Sequence, residues 1–257
     1  MITLFRRIRQ KLIDSGSATK YLLYAFGEIL LVVIGILIAL QINNWNEERK
    51  LRLEERELLT NLSVSFTNKL AELEEKNEDR LTNIATINNL LIDISNGNSR
   101  ISLGDELYTI IGQLYTWYTV NEEFSVIDML FSSGKINTIS NDSLKAKLIV
   151  WPDQMEEMFE EQRVIQDLVV HQLNPIIGRY IPYSTVSNNF FPEYAPDSGY
   201  TDSPNKYDIS GLLEDREFEN QIAHKKIYLV NNIQDTNILI QNAETILALI
   251  KEDLARD

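Results

Sequence analysis

The feature that most limits what this chain can fold into is a run of twenty residues, Tyr21–Leu40, in which Glu28 is the one charged side chain. At ~1.5 Å of rise per residue a helix of that length reaches ~30 Å, the hydrocarbon thickness of a bilayer. The run therefore predicts a transmembrane anchor, taken here as residues 21–42. A cleaved signal would need a small-residue exit site, and Leu37-Ile38-Ala39-Leu40-Gln41 is a poor one ahead of a continuing helical pattern. Residues 1–20 hold Arg6, Arg7, Arg9, Lys11 and Lys20 against Asp14 alone. The positive-inside tendency keeps such a tail in the cytoplasm and exports residues 43–257. Arg49, Lys50, Arg52 and Arg56 follow the run closely and pull the other way. Trp45, just past the exit, suits the membrane interface, where an amphipathic ring is half wetted.

Glu28 cannot lie outside the span, because Ile29–Ile42 is fourteen residues, too short to cross alone. A carboxylate in hydrocarbon is costly unless it is protonated, reaches the headgroups or meets a partner. At 100° per residue Glu28, Gly35 and Ala39 fall within about 20° of one line. A polar group and two small residues on one face allow close approach of a second helix, so these three form a candidate assembly face. The competing reading is that Glu28 reaches headgroup water and the small residues share its face by chance.

Beyond the run the chain predicts an all-α fold, an antiparallel helical bundle continuing from the anchor. No proline interrupts residues 46–95, and Leu59, Leu70, Leu81 and Ile92 recur every eleven residues, as do Leu62, Leu73 and Ile84. Phe66, Asn77 and Asn88 share a third column, read as an imperfect seam partly facing solvent. Asn96-Gly97-Asn98-Ser99 is a turn, after which Leu107, Ile110, Ile111, Leu114 and Tyr118 follow helical spacing. A short helix over Glu122–Ser133 stops at Gly134, and Asn141 or Asp142 caps another that ends at Trp151-Pro152. Asp153 to Arg179 predicts a further helix, with Met155, Met158, Phe159, Ile165, Leu168 and Val169 inward and Pro175 bending or ending it. Residues 182–206 hold four prolines among aromatics and read as an irregular loop. Tyr183, Phe190, Phe191, Tyr194 and Tyr200 there either bind a partner or pin the connection. The last helix, Arg216 to Leu254, sets Phe218, Ile222, Leu229, Ile233, Ile240, Leu247 and Leu254 on one side.

Chemistry is not written in the usual motifs. There is no Gly-rich phosphate loop, HExxH or nucleophile elbow, and no cysteine for a thiolate site or disulfide. A di-iron bundle needs Glu-x-x-His pairs, but Leu168 precedes His171 and Gln221 precedes His224 by three. Asp167 and His171 could share a divalent ion, though a lone pair one turn apart is more often a local hydrogen bond. Glu156, Glu157, Glu160 and Glu161 could attract cations or a basic partner, but a solvated helix face explains them more often. Of the net charge of −14, residues 1–40 carry +3 and residues 41–257 therefore −17. So acidic a surface repels nucleic acid and anionic lipid. The expectations are a protein that is not an enzyme and has no metal or cofactor, with lipid bilayer and protein, including itself, as partners.

Two stretches carry a resemblance: Tyr24-Ala-Phe-Gly-Glu-Ile-Leu-Leu-Val-Val-Ile-Gly-Ile-Leu-Ile-Ala-Leu-Gln-Ile-Asn-Asn-Trp-Asn-Glu-Glu48 and Ser132-Ser-Gly-Lys-Ile-Asn-Thr-Ile-Ser-Asn-Asp-Ser-Leu-Lys-Ala-Lys-Leu148. Together they resemble an uncharacterised family of single-pass proteins typical of Bacteroidota. The resemblance implies an inner-membrane protein with a helical periplasmic domain and brings no activity. The function expected is a membrane-anchored, non-enzymatic interaction or scaffold subunit that assembles through its transmembrane helix. The alternative is an extracytoplasmic sensor or ligand-binding domain that signals through a partner, since about twenty residues ahead of the anchor are too few for an output domain.

Overall fold

The computed structural model describes residues 18–97, 105–190, 193 and 208–256. Every regular element among them is helical. The chain divides into two units, Met1–Glu57 and Leu58–Asp257. Helix α1, Ala18–Ser95, is unbroken across 78 residues, as the proline-free sequence predicts.

In the second unit the order is α2 (Asp105–Tyr115), α3 (Ser125–Ser132), a 3-10 turn (Lys135–Thr138), α4 (Asp142–Asp167), a π-turn (Leu168–Leu173), α5 (Asn174–Tyr180), α6 (Tyr183–Phe190), α7 (Ile209–Glu214) and α8 (Arg216–Ala255). Cross-helix hydrogen bonds fix the directions. Asn77 and Arg80 of α1 meet Asn237 and Thr236 of α8, while higher on α1 Ile87 and Leu90 share a core with Phe218 and Ile222, so the two helices are antiparallel. Asn141, Gln154 and Met158 of α4 meet Asp253, Asn242 and Asn232 of α8, again antiparallel. The fourth position is taken by α2 and α3 in succession, running down α1 from Gln113 opposite Asn83 to Asn121 opposite Lys69. The result is an up-down-up-down four-helix bundle whose second helix is interrupted.

Two apolar cores lie along the bundle. One gathers Leu62, Phe66, Leu130, Leu148, Trp151, Met158 and Ile246. The other gathers Ile87, Ile111, Ile165, Leu173, Ile177, Phe218 and Leu229, with α5, α6 and α7 helping to cover it. Caps follow the sequence: Asn141 accepts from the N–H of Ser143 and Leu144, Asp215 from those of Glu217 and Phe218, and Gly134 stops α3 at φ 71°.

Four expectations need correction. No break occurs at Pro152, because α4 passes through it. The proline ring is on the exposed face while Leu148, Trp151 and Met155 bury beside it. An interior proline costs about 3 kcal/mol, and burying three large side chains returns about 1.5–3 kcal/mol each. Residues 182–206 are not irregular throughout, since α6 begins at Tyr183; Pro182 and Pro192 flank that helix and do not interrupt it. The eleven-residue columns also shift. Leu81 and Ile92 are exposed, whereas Asn77, expected near solvent, is buried. Thirty-three residues at 100° each overshoot nine turns by about 60°, so a column that starts inward at Leu59 turns outward by Ile92. Lastly, α2 ends at Tyr115, and Tyr118 sits outside it at φ 53°.

Candidate functional site: the apolar segment and the interrupted helix

Fourteen large apolar side chains between Leu22 and Ile42 are exposed, from 44% at Val33 to 70% at Leu31. They occupy every face of α1. A soluble amphipathic helix covers one stripe and leaves the other polar, but here no stripe is polar. Leaving fourteen such groups in water forgoes ~1.5–3 kcal/mol each, tens of kcal/mol in sum. Among the described residues this is one helix long and apolar enough to cross a membrane, and it is compatible with an anchor.

Glu28, Gly35 and Ala39 lie on this helix as the spacing predicts. Glu28 is partly covered; Gly35 and Ala39 are exposed, and a Cβ on Gly35 would meet nothing within 4 Å. A shallow groove of about 370 Å³ runs past Ala25, Glu28, Ile29, Val32 and Val33. Trp45 is 60% exposed beyond the apolar run.

Of the aromatic set at 182–206, Tyr183 is described in full. Its hydroxyl donates to the carbonyl of Asn174, and its ring lies 6.0 Å from Tyr115. It also fills the space at Gly178, where an added Cβ would come within 2.7 Å of that ring. These contacts hold Tyr183 against α5 and α2. Phe190 ends α6, while its side chain and Phe191, Tyr194 and Tyr200 lie outside the described residues.

The interruption of the second helix was not visible as a site. Thr116-Trp117-Tyr118-Thr119-Val120 is β-branched and aromatic, poor material for helix, and the chain leaves helical geometry there. An irregular segment inside a bundle has backbone groups that water cannot reach. Side chains from three helices serve them. Lys225 Nζ donates to the carbonyls of Gln113 (2.8 Å) and Leu114 (2.9 Å), at the C-terminal end of α2, and Asn83 donates to Gln113 as well. Arg80 Nη2 donates to the carbonyl of Tyr118 at 3.1 Å, and Gln162 Oε1 accepts from the N–H of Val120 at 3.0 Å. Lys69 donates to the carbonyl of Asn121 while its ion-pair partner Glu72 accepts the Asn121 N–H.

Among the described residues, two of these donors are cations with no ion-paired carboxylate, although the charge of Asp79 acts on Arg80. Arg80, fully buried, also donates to Asn77 and Thr236, both neutral; Lys225, equally buried, meets two carbonyls. Burial lowers Arg80 to about 10 and Lys225 to about 7. A cation at the C-terminal end of α2 is favourably placed in the field of its carbonyls. The arrangement reads as a stitch that holds a broken helix in register. Buried polar residues at core spacing were its one sequence signal, and apolar periodicity passes over Lys225, Asn232 and Thr236, which lie inward on α8 where Ile233, Ile240 and Leu247 are half-buried.

His171 Nδ1 and Asp167 Oδ1 are 2.9 Å apart, both about two-thirds exposed, as expected of a local pair. No group of three or more metal-ligating side chains stands together among the described residues. Glu161 is raised by burial and by Asp235 of α8, and Asp235 is raised by burial and by Glu157.

Fold and apolar segment together define a helical-bundle protein carrying a span compatible with a membrane anchor. The chain belongs to a family of unknown function, DUF6090, which it matches over residues 28–165, from Glu28 to Ile165 in the last turn of α4. Lys69, Arg80, Asn83 and Gln162 fall within the match and Lys225 beyond it. No curated protein and no solved structure matches the chain.

Proposed function

We propose that this protein is a single-pass, membrane-anchored, non-enzymatic interaction subunit of a bacterial inner membrane. Its N-terminus is cytoplasmic, its acidic bundle is periplasmic, and its anchors associate through the face of Glu28, Gly35 and Ala39. The observation that carries this reading is the all-round exposure of the apolar residues between Leu22 and Ile42, which need lipid or another helix around them. Support for an interaction role comes from the acidic surface and from a buried polar layer whose members serve backbone groups in place of a reaction centre. The resemblance to single-pass proteins of Bacteroidota agrees with it.

Because the sequence has no cysteine, single replacements give unambiguous crosslinks. Oxidation of native membranes should join Ala39→Cys chains to each other or to a partner. Leu37→Cys, about 200° around the helix, should stay uncrosslinked. Equal crosslinking at both positions, or none at either, refutes the assembly face. The second reading, a sensor signalling through a partner, draws on the unbroken helix from Ala18 to Ser95. A rise in the melting temperature of the bundle with a small ligand would favour it.

A further inference from the structure

Where α3 begins against α4, a cleft of about 180 Å³ opens on the bundle surface. Its floor is aromatic and thioether: Phe124, Trp151, Met155 and Phe159. Its rim carries Glu122, Asp128 and Glu156. Glu156 is ion-paired with Arg163, while Glu122 and Asp128 have no ion pair among the described residues. Trp151 is 1% exposed, stacked edge-on against Phe66, and its indole N–H has no acceptor.

The volume discriminates between occupants. Small-molecule pockets usually run to about 300–1,000 Å³, so this cleft has room for one long side chain. An apolar channel ending in carboxylates fits a methylene stem with a cationic head, and aromatic rings favour such a cation. Residues 41–257 carry −17, so a basic segment is also drawn to this surface at long range. We propose that the cleft receives a lysine or arginine side chain of a partner protein, its methylene stem lying on Phe124 and the edge of the aromatic floor and its cationic head reaching Glu122 and Asp128. This rests on the interaction reading above and names the chemistry of the partner.

The test uses the full chain in detergent micelles and two capped tripeptides, acetyl-Gly-Arg-Gly-amide and the same peptide with citrulline, its uncharged isostere. Titration should shift the indole N–H resonance of Trp151, assigned by elimination with Trp45→Phe and Trp117→Phe, saturably for arginine and at least tenfold more weakly for citrulline. Asp128→Asn and Glu122→Gln should each weaken arginine binding about three- to tenfold. Trp151→Phe leaves every charge in place and should weaken it about fivefold. Nonspecific attraction to an acidic protein would ignore that last change, so equal binding by Trp151→Phe overturns the proposal, as does an unmoved indole resonance. Should Trp151→Phe unfold, the wild-type resonance and the citrulline comparison decide alone. Failure here with Ala39→Cys crosslinking intact removes the cleft and leaves the interaction reading standing.

Discussion

Replacing Lys225 by methionine separates the two things this side chain does. The stem is kept, the charge is lost, and the carbonyl of Leu114 loses its donor, while that of Gln113 keeps Asn83. A buried carbonyl without a partner costs about 1–3 kcal/mol. Against this, burial holds the amine near 7, well below its ordinary value, so the wild-type fold is burdened by the charged form. A basic group depressed on folding binds more protons unfolded than folded between its two values. Its fold therefore strengthens as pH rises through that interval and is weakest below it. With values of about 7 and about 10.4, the wild type gains roughly two pH units of linkage between pH 6 and pH 9, or about 3 kcal/mol. Neutral lysine still has two N–H donors for its two carbonyls, so deprotonation breaks neither bond. Methionine has nothing to titrate. Urea unfolding in mild detergent, followed by tryptophan fluorescence with Trp151 as the buried reporter, gives both stabilities. Lys225→Met should be close to wild type at pH 6 and fall behind by about 3 kcal/mol more at pH 9. A difference that stays constant within about 0.5 kcal/mol over that range would show that Lys225 does not titrate in this way, since groups common to both proteins cancel.

Other outcomes follow from the caps. Gly134→Ala meets no atom within 4 Å, so the whole effect comes from φ 71°, and a loss of about 1 kcal/mol in urea unfolding is expected. Asp215 is held below the usual carboxylate value chiefly by the Tyr180 hydroxyl, then by the N–H groups of Glu217 and Phe218 and by Arg179. Its contribution is present above about pH 4 and lost as pH falls through the lowered value, so Asp215→Asn should flatten the acid limb of stability between pH 2 and 5.

Helices were legible wherever local signals and tertiary burial agree. The unbroken α1, the cap at Asn141 and the stop at Gly134 depend on residues within a few positions of one another. Pro152 was misread because a local breaker was outweighed by Leu148, Trp151 and Met155, whose burial the sequence does not state. The aromatic character of residues 182–206 masked the eight residues between prolines that form α6. The stitch around Tyr118 was hidden for a different reason. Its members lie on three helices, up to 156 residues apart for Arg80 and Thr236, and each alone resembles a surface polar residue. The apolar run Tyr21–Leu40 shows the opposite case, since its helix needs no partner within the chain to be recognised.

Whether the apolar run spans a membrane, and on which side the bundle then lies, decides the proposed function. Cysteines placed singly at Ser15 and at Ser203, in a chain otherwise free of them, can be labelled in intact spheroplasts with a membrane-impermeant maleimide. A periplasmic bundle gives labelling at position 203, protection at position 15 until the membrane is opened, and retention of the chain in the membrane fraction after a carbonate wash. Labelling at 15 with protection at 203, or release of the chain by carbonate, would contradict the proposed function.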